Sequence, residues 1–553
     1  MEKKIIECVP NFSEGRDLEV IRQITDVIKS VGNVKLLDVD PGRDTNRTVV
    51  TFAGQPEEVC EAAFLAVKKA AELIDMSKHH GAHPRMGATD VLPLVPVSGI
   101  TMEETVEYAR KLGRRIGEEL GIPVYCYENA AFEEKRRNLS ACREGEYEGL
   151  RNKLADPEWK PDFGPAVLNE RAGATAVGAR DFLVAFNINL NTTSTRIANA
   201  IAFDVREKGR TITGENGEKT VVPGTLKSVK AIGWYIEEYG IAQISMNLTN
   251  ISVTPVHVAF EEVCFRAEAR GVRVTGSELV GLVPLKAMLE AGRYFLRKQK
   301  RSSGVSDGEL IKIAVKSMGM NEIHEFRPEE KIIEYVMEGK NKNRLTDLSL
   351  RQFMELTASE APAPGGGSVA AYIGALGAAL GTMVANLSSH KKGWDDRWEE
   401  FSDWAEKGKE LQNRLLELTD EDTEAFNRVL AAIRMPKNTP EEAEMRRKAV
   451  ESATLYAMRI PLTVMETAYA ALDVVETMVE KGNPGSVSDA AVGALSLHAA
   501  IQGAGLNVKI NAAGLTGNAE VQQMVSMADS IMESSANRAN EILNKMENVL
   551  KGN

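Results

Sequence analysis

The residues best suited to moving protons crowd into one short stretch, Lys78-His79-His80-Gly81-Ala82-His83-Pro84-Arg85-Met86-Gly87-Ala88, where three of the chain's seven histidines fall within five positions. An imidazole titrates near neutrality, so a histidine followed by proline in a Gly-bounded loop suits general acid/base work, and His83 has that setting. A metal site would use the same residue types, but no neighbouring His, Cys or carboxylate completes a zinc-like spacing. A polar surface loop is the competing explanation for any single histidine here. Two further polar stretches follow strand-like runs, where rigid scaffolds commonly present functional side chains. Turn residues, with Ser13 and Asp17 as helix caps, account for much of Val9-Pro10-Asn11-Phe12-Ser13-Glu14-Gly15. They account poorly for Asp38-Val39-Asp40-Pro41-Gly42-Arg43-Asp44-Thr45-Asn46-Arg47, where arginines alternate with carboxylates.

The last two-fifths of the chain has different candidates. Ala361-Pro362-Ala363-Pro364-Gly365-Gly366-Gly367-Ser368 opens a helical pattern, and a Gly-rich turn before a helix offers free backbone N–H groups to an anion. It lacks the Gly-Lys-Ser/Thr ending of a P-loop, so nucleotide hydrolysis is disfavoured. A Pro/Gly linker with Ser368 as N-cap explains it equally well. Asp420-Glu421-Asp422-Thr423-Glu424 reads on its own as a capping Asp with first-turn acids.

Among the elements that carry these residues, Lys4–Val9 reads as a strand, Asp17–Ser30 as a helix, Val34–Asp40 and Arg47–Phe52 as two strands, Pro56–Ile74 as a helix and Thr89–Val97 as a strand. The same order recurs over Phe182–Leu190, Thr193–Lys208, Val229–Glu237, Ala242–Leu248, Val256–Arg270 and Val272–Thr275. Strand, helix, two strands, helix, strand is the order of ferredoxin-like folds. A polar, aperiodic stretch around 337–344 looks like a linker. Beyond it only helical patterns remain: Leu348–Ser359, Ser368–Ser389, Trp394–Thr419, Thr423–Arg434, Pro440–Arg459, Pro461–Lys481 and Leu515–Leu550. Their abundant alanine, and Gly374, Gly377 and Gly381, fit an all-α bundle with close helix contacts and burial against another subunit.

With 553 residues the chain is too long for one core. Its net charge of -12 and isoelectric point near 5.4 argue against a general nucleic-acid or anionic-membrane binder. No apolar run is expected to span a membrane, Val369–Val384 being mostly Ala and Gly, and the N-terminus carries no apolar signal core. Five scattered cysteines point to reduced thiols in a cytoplasmic protein.

The motifs then fall into a known series. Val9–Gly15, Leu37–Asp40, Thr45–Thr48, His83–Ala88, Asp162–Pro165, Gly173–Ala176, Ala185–Leu190, Gly233–Tyr235 and Leu279–Pro284 resemble, in order and spacing, the glutamate formiminotransferases over about residues 1–330. Gly365–Ser368, Asp420–Phe426, Met435–Pro440 and Ser488-Asp489 resemble the formiminotetrahydrofolate cyclodeaminases over about residues 340–550. The resemblance implies a multi-domain architecture: an N-terminal α/β (α+β) transferase of two ferredoxin-like subdomains (1–179 and 180–330), a linker (331–345) and an all-α helical cyclodeaminase (346–553). It implies His83 as acid/base with Asp40 orienting it, and Asp422 as the catalytic aspartate of the second reaction. Folate and substrate contacts are implied for Asn11, Arg47, the segment Gly164-Pro165-Ala166-Val167-Leu168-Asn169-Glu170-Arg171-Ala172-Gly173, and Gly365, Gly366, Gly367, Ser368, Lys437, Asn438 and Asp489. Arg171 stands where animal members are expected to carry an aromatic residue, while His79 and His80 are expected to be structural or exposed. Implied substrates are N-formimino-L-glutamate and tetrahydrofolate, the latter a co-substrate that can be polyglutamylated. No metal, nucleic acid or membrane is implied, and a homo-oligomer with dimeric contacts in both domains is. Two other readings use the same residues: formyl transfer involving N-formylglutamate or 5-formyltetrahydrofolate, and a folate-binding oligomeric protein with one degenerate site.

Overall fold

The computed structural model describes residues 4–43, 45–81, 84–213, 218–338, 344–515 and 518–551. Contacts divide it into two units that are not consecutive along the chain: Met1–Met288 with Val315–Gly339, and Leu289–Ala314 with Lys340–Asn553.

Among the described residues the first unit contains two large sheets and a two-stranded one. Strands β1 (Ile5–Cys8), β2 (Asn11–Phe12), β3 (Lys35–Gly42), β4 (Arg47–Gly54) and β5 (Thr89–Ser98) surround helices α1 (Leu18–Lys29) and α2 (Pro56–Leu73). β3 pairs with β4, and β1 and β2 lie between β4 and β5, all antiparallel. That is the ferredoxin-like arrangement read from element order. Helix α3 (Met102–Leu120) leads to β6 (Val124–Glu128), and after α4 (Leu139–Arg143) and α5 (Glu146–Ala155) comes β7 (Thr175–Ala179). β7 adds to β5 in parallel and β6 to β7, widening the sheet to seven strands. The apolar faces of α1, α2 and α3 (Ile24, Ile28, Ala63, Val67, Leu112, Ile116) bury one side of it.

The second sheet repeats the topology. β8 (Val184–Leu190), α6 (Thr195–Val205), a hairpin of β9 (Arg210–Thr213) and β10 (Lys219–Val222), β11 (Val229–Ile236), β12 (Ile241–Leu248), α7 (Val256–Glu268) and β13 (Val274–Val280) give strand order β11-β12-β8-β13, antiparallel throughout. Four helices follow: α8 (Leu285–Lys298), α9 (Asp307–Ser317), α10 (Pro328–Lys331) and α11 (Ile333–Glu338). Within the expected linker, Ile333–Glu338 is thus helical, while 339–343 lies outside the described residues.

The second unit is helical: α12 (Leu350–Thr357), α13 (Gly366–Ser389), α14 (Trp398–Ile433), α15 (Pro440–Lys481), α16 (Val487–Ala512) and α17 (Ala519–Lys551). The expected helix breaks at Asp420–Asp422 and before Pro461 do not occur, and α16 is an additional element that its Gly/Ala-rich sequence concealed. Pro461 sits inside α15 without an N–H to donate to Ala457 O, and the Asn511 side-chain amide donates to that carbonyl instead, at 3.0 Å. Small residues set the packing distances, since a Cβ on Gly377 would meet Gly493 O and Leu497, and one on Gly381 would meet Val475. Contrary to the reading of Val369–Val384, α13 is long and apolar enough to cross a membrane by length and composition; 61% of its most apolar window is buried within this unit, as in a core helix. Leu289–Ala314 docks onto α13 and α14. Ser302 Oγ donates to Asn386 Oδ1 at 2.6 Å, Asn386 Nδ2 to Gly304 O at 2.8 Å, and Arg297 to Asp403 and Glu406 at 2.7 and 2.8 Å.

Candidate active sites

In the first unit the three polar loops picked out by residue type meet at the start of β4. Asn46, at a positive φ of 49°, joins them. Its Oδ1 accepts from Gly15 N–H at 3.0 Å, its Nδ2 donates to His80 O at 3.0 Å, and its backbone carbonyl accepts from His79 Nε2 at 2.9 Å. Ser13 is not a cap: its hydroxyl donates to Gly87 O at 2.7 Å, binding the first loop to the histidine loop. Asp17 is a cap, accepting from Glu19 and Val20 N–H. Gly15 and Gly81 have no room for a Cβ, because the backbone of Gly42 and Arg47 lies against one and that of Thr45 against the other.

His83 and Ala82 lie outside the described residues; the loop on either side of them is fixed. Arg85 Nε–H donates to His79 Nδ1 at 3.3 Å, so His79 is the neutral tautomer with its proton on Nε2. Burial, with help from the Arg85 charge, holds its pKa below the ordinary histidine range, against the pull of the Asn46 carbonyl. Arg85 itself is occupied by Glu146 at 3.0 Å and Glu148 at 2.6 Å. His79 is therefore buried and structural, and His80 is exposed. A polar cleft of about 480 Å³, lined by His80, Gly81, Arg85, Gly145, Glu146 and Glu148, opens beside this loop.

Asp40 is exposed on β3 opposite Val49. Arg47 is half-buried, repelled by Arg143 and attracted by Asp90 and Asp40, and Asp90 pairs with Arg143 at 2.5 Å while accepting from Met86 N–H. Asn11 is buried, its Nδ2 donating to Val9 O at 3.3 Å. Of the segment 164–173, Gly164, Pro165, Ala166, Val167, Glu170 and Arg171 are exposed and Leu168 and Asn169 half-buried. Ala172 and Gly173 pack under Met86–Ala88, with Ala88 N–H donating to Ala172 O at 2.8 Å. Arg171 donates to Glu72 O at 2.9 Å. Asn46 and Asp90 carry most of this geometry. Asn46 stood inside a quoted motif, but Asp90 had no local signal.

In the helical unit the Gly-rich turn and the acidic run come together. Helix α13 starts at Gly366 with Gly365 as N-cap, so Ser368 is a first-turn residue. Its hydroxyl donates to Asp422 Oδ2 at 2.9 Å, and its backbone N–H also donates to that carboxylate. A Cβ on Gly367 would overlap the Asp422 carboxylate. The acidic run does not cap a helix. Asp420 accepts from Leu345 N–H and the Thr346 hydroxyl at 2.7 Å each, Glu421 pairs with Arg414 at 2.6 Å, and Asp422 faces α13. Burial pushes the Asp422 carboxyl above the usual aspartate range, and the two Ser368 bonds oppose this. A carboxyl whose pKa is raised holds a proton more readily, and a helix N-terminus tolerates the negative charge left when it is donated.

Asn507 of α16 lies beside Gly366, an approach that no local motif signals. Helix α16 runs antiparallel to α13, so Asp489 sits at its far end, about 27 Å of helix rise from Asn507. Lys437 and Asn438 lie in the exposed turn after α14, and the helix from Asp422 to Ile433 rises about 17 Å. Within the chain these three do not join Asp422. Among the described residues no group of three His, Cys, Asp or Glu is placed to hold a metal.

Residues 5–180 match the N-terminal subdomain of the formiminotransferase domain, 185–338 the formiminotransferase domain and 349–530 formiminotransferase-cyclodeaminase. A formimidoyltransferase-cyclodeaminase of Gallus gallus is 44% identical over 95% of this chain and 96% of its own length. The chain belongs to the formimidoyltransferase-cyclodeaminase family. The family's two-part architecture also has shorter relatives. A glutamate formimidoyltransferase of Thermoplasma acidophilum is 44% identical over 56% of this chain and 96% of its own. A methenyltetrahydrofolate cyclohydrolase of Methylorubrum extorquens is 36% identical over 33% of this chain and 88% of its own.

Proposed function

We propose that the chain catalyses two consecutive folate reactions: transfer of the formimino group of N-formimino-L-glutamate to nitrogen 5 of tetrahydrofolate, then cyclisation to 5,10-methenyltetrahydrofolate with release of ammonia. The observation that carries this is near-complete coverage by relatives named for both steps, on a chain whose two units each hold a polar site. In the first step N5 attacks the formimino carbon and loses a proton, and the glutamate amine leaves having gained one. His83 does both in turn, with Asp40 orienting it, in a loop that Asn46, His79 and Arg85 hold from either side. In the second step N10 attacks the same carbon, the ring closes and nitrogen departs as ammonia. Asp422 supplies the proton that makes it a leaving group, since an amide ion would not depart. The segment 164–173, exposed over Gly164–Val167 and Glu170–Arg171, is assigned folate contacts in the first site, as are Asn11 and Arg47, and Gly365–Ser368 in the second. Lys437, Asn438 and Asp489 are assigned to folate only if a second copy of the chain completes the helical site. Such a copy has apolar surface to cover, Leu376 of α13 and Val492, Leu495, Leu506 and Ile510 of α16 being exposed. A cytoplasmic, homo-oligomeric enzyme acting on mono- or polyglutamylated folate is the reading that free cysteines and these faces favour.

The test is His83→Ala. Transfer from N-formimino-L-glutamate should fall by about 10²–10⁴-fold, with cyclodeaminase activity on supplied 5-formiminotetrahydrofolate unchanged. Persisting transfer would remove His83 from its role, and turnover of N-formylglutamate in place of the formimino donor would change the reaction assigned.

A further inference from the structure

The helical unit holds a second concavity, distant from Asp422. It measures about 510 Å³ and lies between Gly304–Ser306, the later turns of α13 and the first half of α14. Met383, which lines it, is about 24 Å of helix rise from Gly367 beside Asp422. Ala379, Met383 and Leu387 make an apolar wall, and the last two are large side chains left open to solvent. Two of its polar groups are already used: Asn386 bonds Gly304 and Ser302, and the Thr382 hydroxyl donates to Ala378 O at 2.9 Å. Lys409 is different. Its ammonium is half-buried among these walls, and no described carboxylate lies within ion-pair distance; Asp307 attracts it only from farther off. Burial accordingly lowers its pKa. His390 stands at the rim, where burial and the nearby Arg301 charge lower its pKa, leaving Lys409 as the cation of the lining.

Apolar walls converging on one desolvated cation, in a space large enough for a small molecule, are the features of a ligand site with a fixed orientation. We propose that this cleft binds a small amphipathic monocarboxylate, its apolar body against Met383 and Leu387 and its carboxylate on the Lys409 ammonium. A carboxylate there gives Lys409 the charged partner that the described residues do not supply, whereas a hydroxyl brings no charge and an ammonium repels it.

Octanoate, octanol and octylamine, titrated calorimetrically into the full-length chain, test this. Octanoate should bind saturably, one per chain, and octanol about tenfold or more weaker, the discrimination of one charge-assisted bond. Lys409→Met should bring octanoate down to the octanol level, Lys409→Arg should keep the preference, and Asp422→Asn should leave it intact. Thermal melting of each variant checks folding, and Lys409→Met should retain both enzyme activities. Absence of saturable octanoate binding, equal binding by wild type and Lys409→Met, or loss of binding in Asp422→Asn would each overturn the proposal.

Discussion

At the scale of single residues, the second site depends on how one carboxyl is held. Asp422 is kept above the ordinary aspartate range by burial and restrained by two donors from Ser368. Replacing Ser368→Ala deletes the hydroxyl bond, which lowers the pKa, and so moves the Asp422 pKa further up. If Asp422 delivers its proton to the departing nitrogen, the alkaline limb of the cyclodeaminase pH profile should shift to higher pH in this variant, while the transferase profile stays put. A downward shift would mean that Asp422 acts in its ionised form. The two runs were visible in sequence because each is contiguous, Gly365–Ser368 and Asp420–Asp422, although a linker and a helix cap are their simpler explanations and only the resemblance joined them to a reaction. What each acid does was not legible. Asp420, Glu421 and Asp422 look alike in a string and have separate partners only once α12's approach, α14 and α13 are in place. The same holds for Asn46, whose three bonds join segments up to 34 positions away.

At the scale of elements, the βαββαβ order was readable twice because strands and helices alternate with clear periodicity. The helical unit was misread where local rules are overridden. Acids in mid-helix imitate an N-cap, and Pro461 imitates a helix start. Both are absorbed because tertiary partners take over: Ser368 for Asp422, and Asn511 for the carbonyl that Pro461 leaves without a backbone donor. The latter predicts a measurable coupling. Asn511→Leu should destabilise the folded chain by about 1–2 kcal/mol, the cost of a buried carbonyl without a donor. In a Pro461→Ala background, where residue 461 regains its N–H, the same change should cost less. A double-mutant cycle in urea reads the difference, and strict additivity would show that Asn511 does not substitute for the missing bond.

At the scale of the whole molecule, a net charge of -12 sits alongside a few carboxyls whose pKa burial raises. Glu7, 5% exposed on β1, is pushed by burial up to about 7, with Arg180 opposing. A carboxyl whose folded pKa lies above its unfolded value adds stability below the unfolded value and loses it as pH rises through the folded one. Glu7→Gln should therefore change the melting temperature little near pH 5 and raise it near pH 8, recovering up to about 3 kcal/mol. Equal melting at both values would mean that Glu7 is ionised throughout. The order of the chain has its own consequence. Leu289–Ala314 belongs with helices that begin more than thirty residues after it ends, docked through Ser302, Gly304 and Arg297. The two units therefore interleave along the sequence, with Leu289–Ala314 acting as a clasp on the helical one. Splitting the gene at the obvious joint near residue 340 would strip the downstream fragment of its clasp and leave the α8–α9 loop dangling from the upstream one.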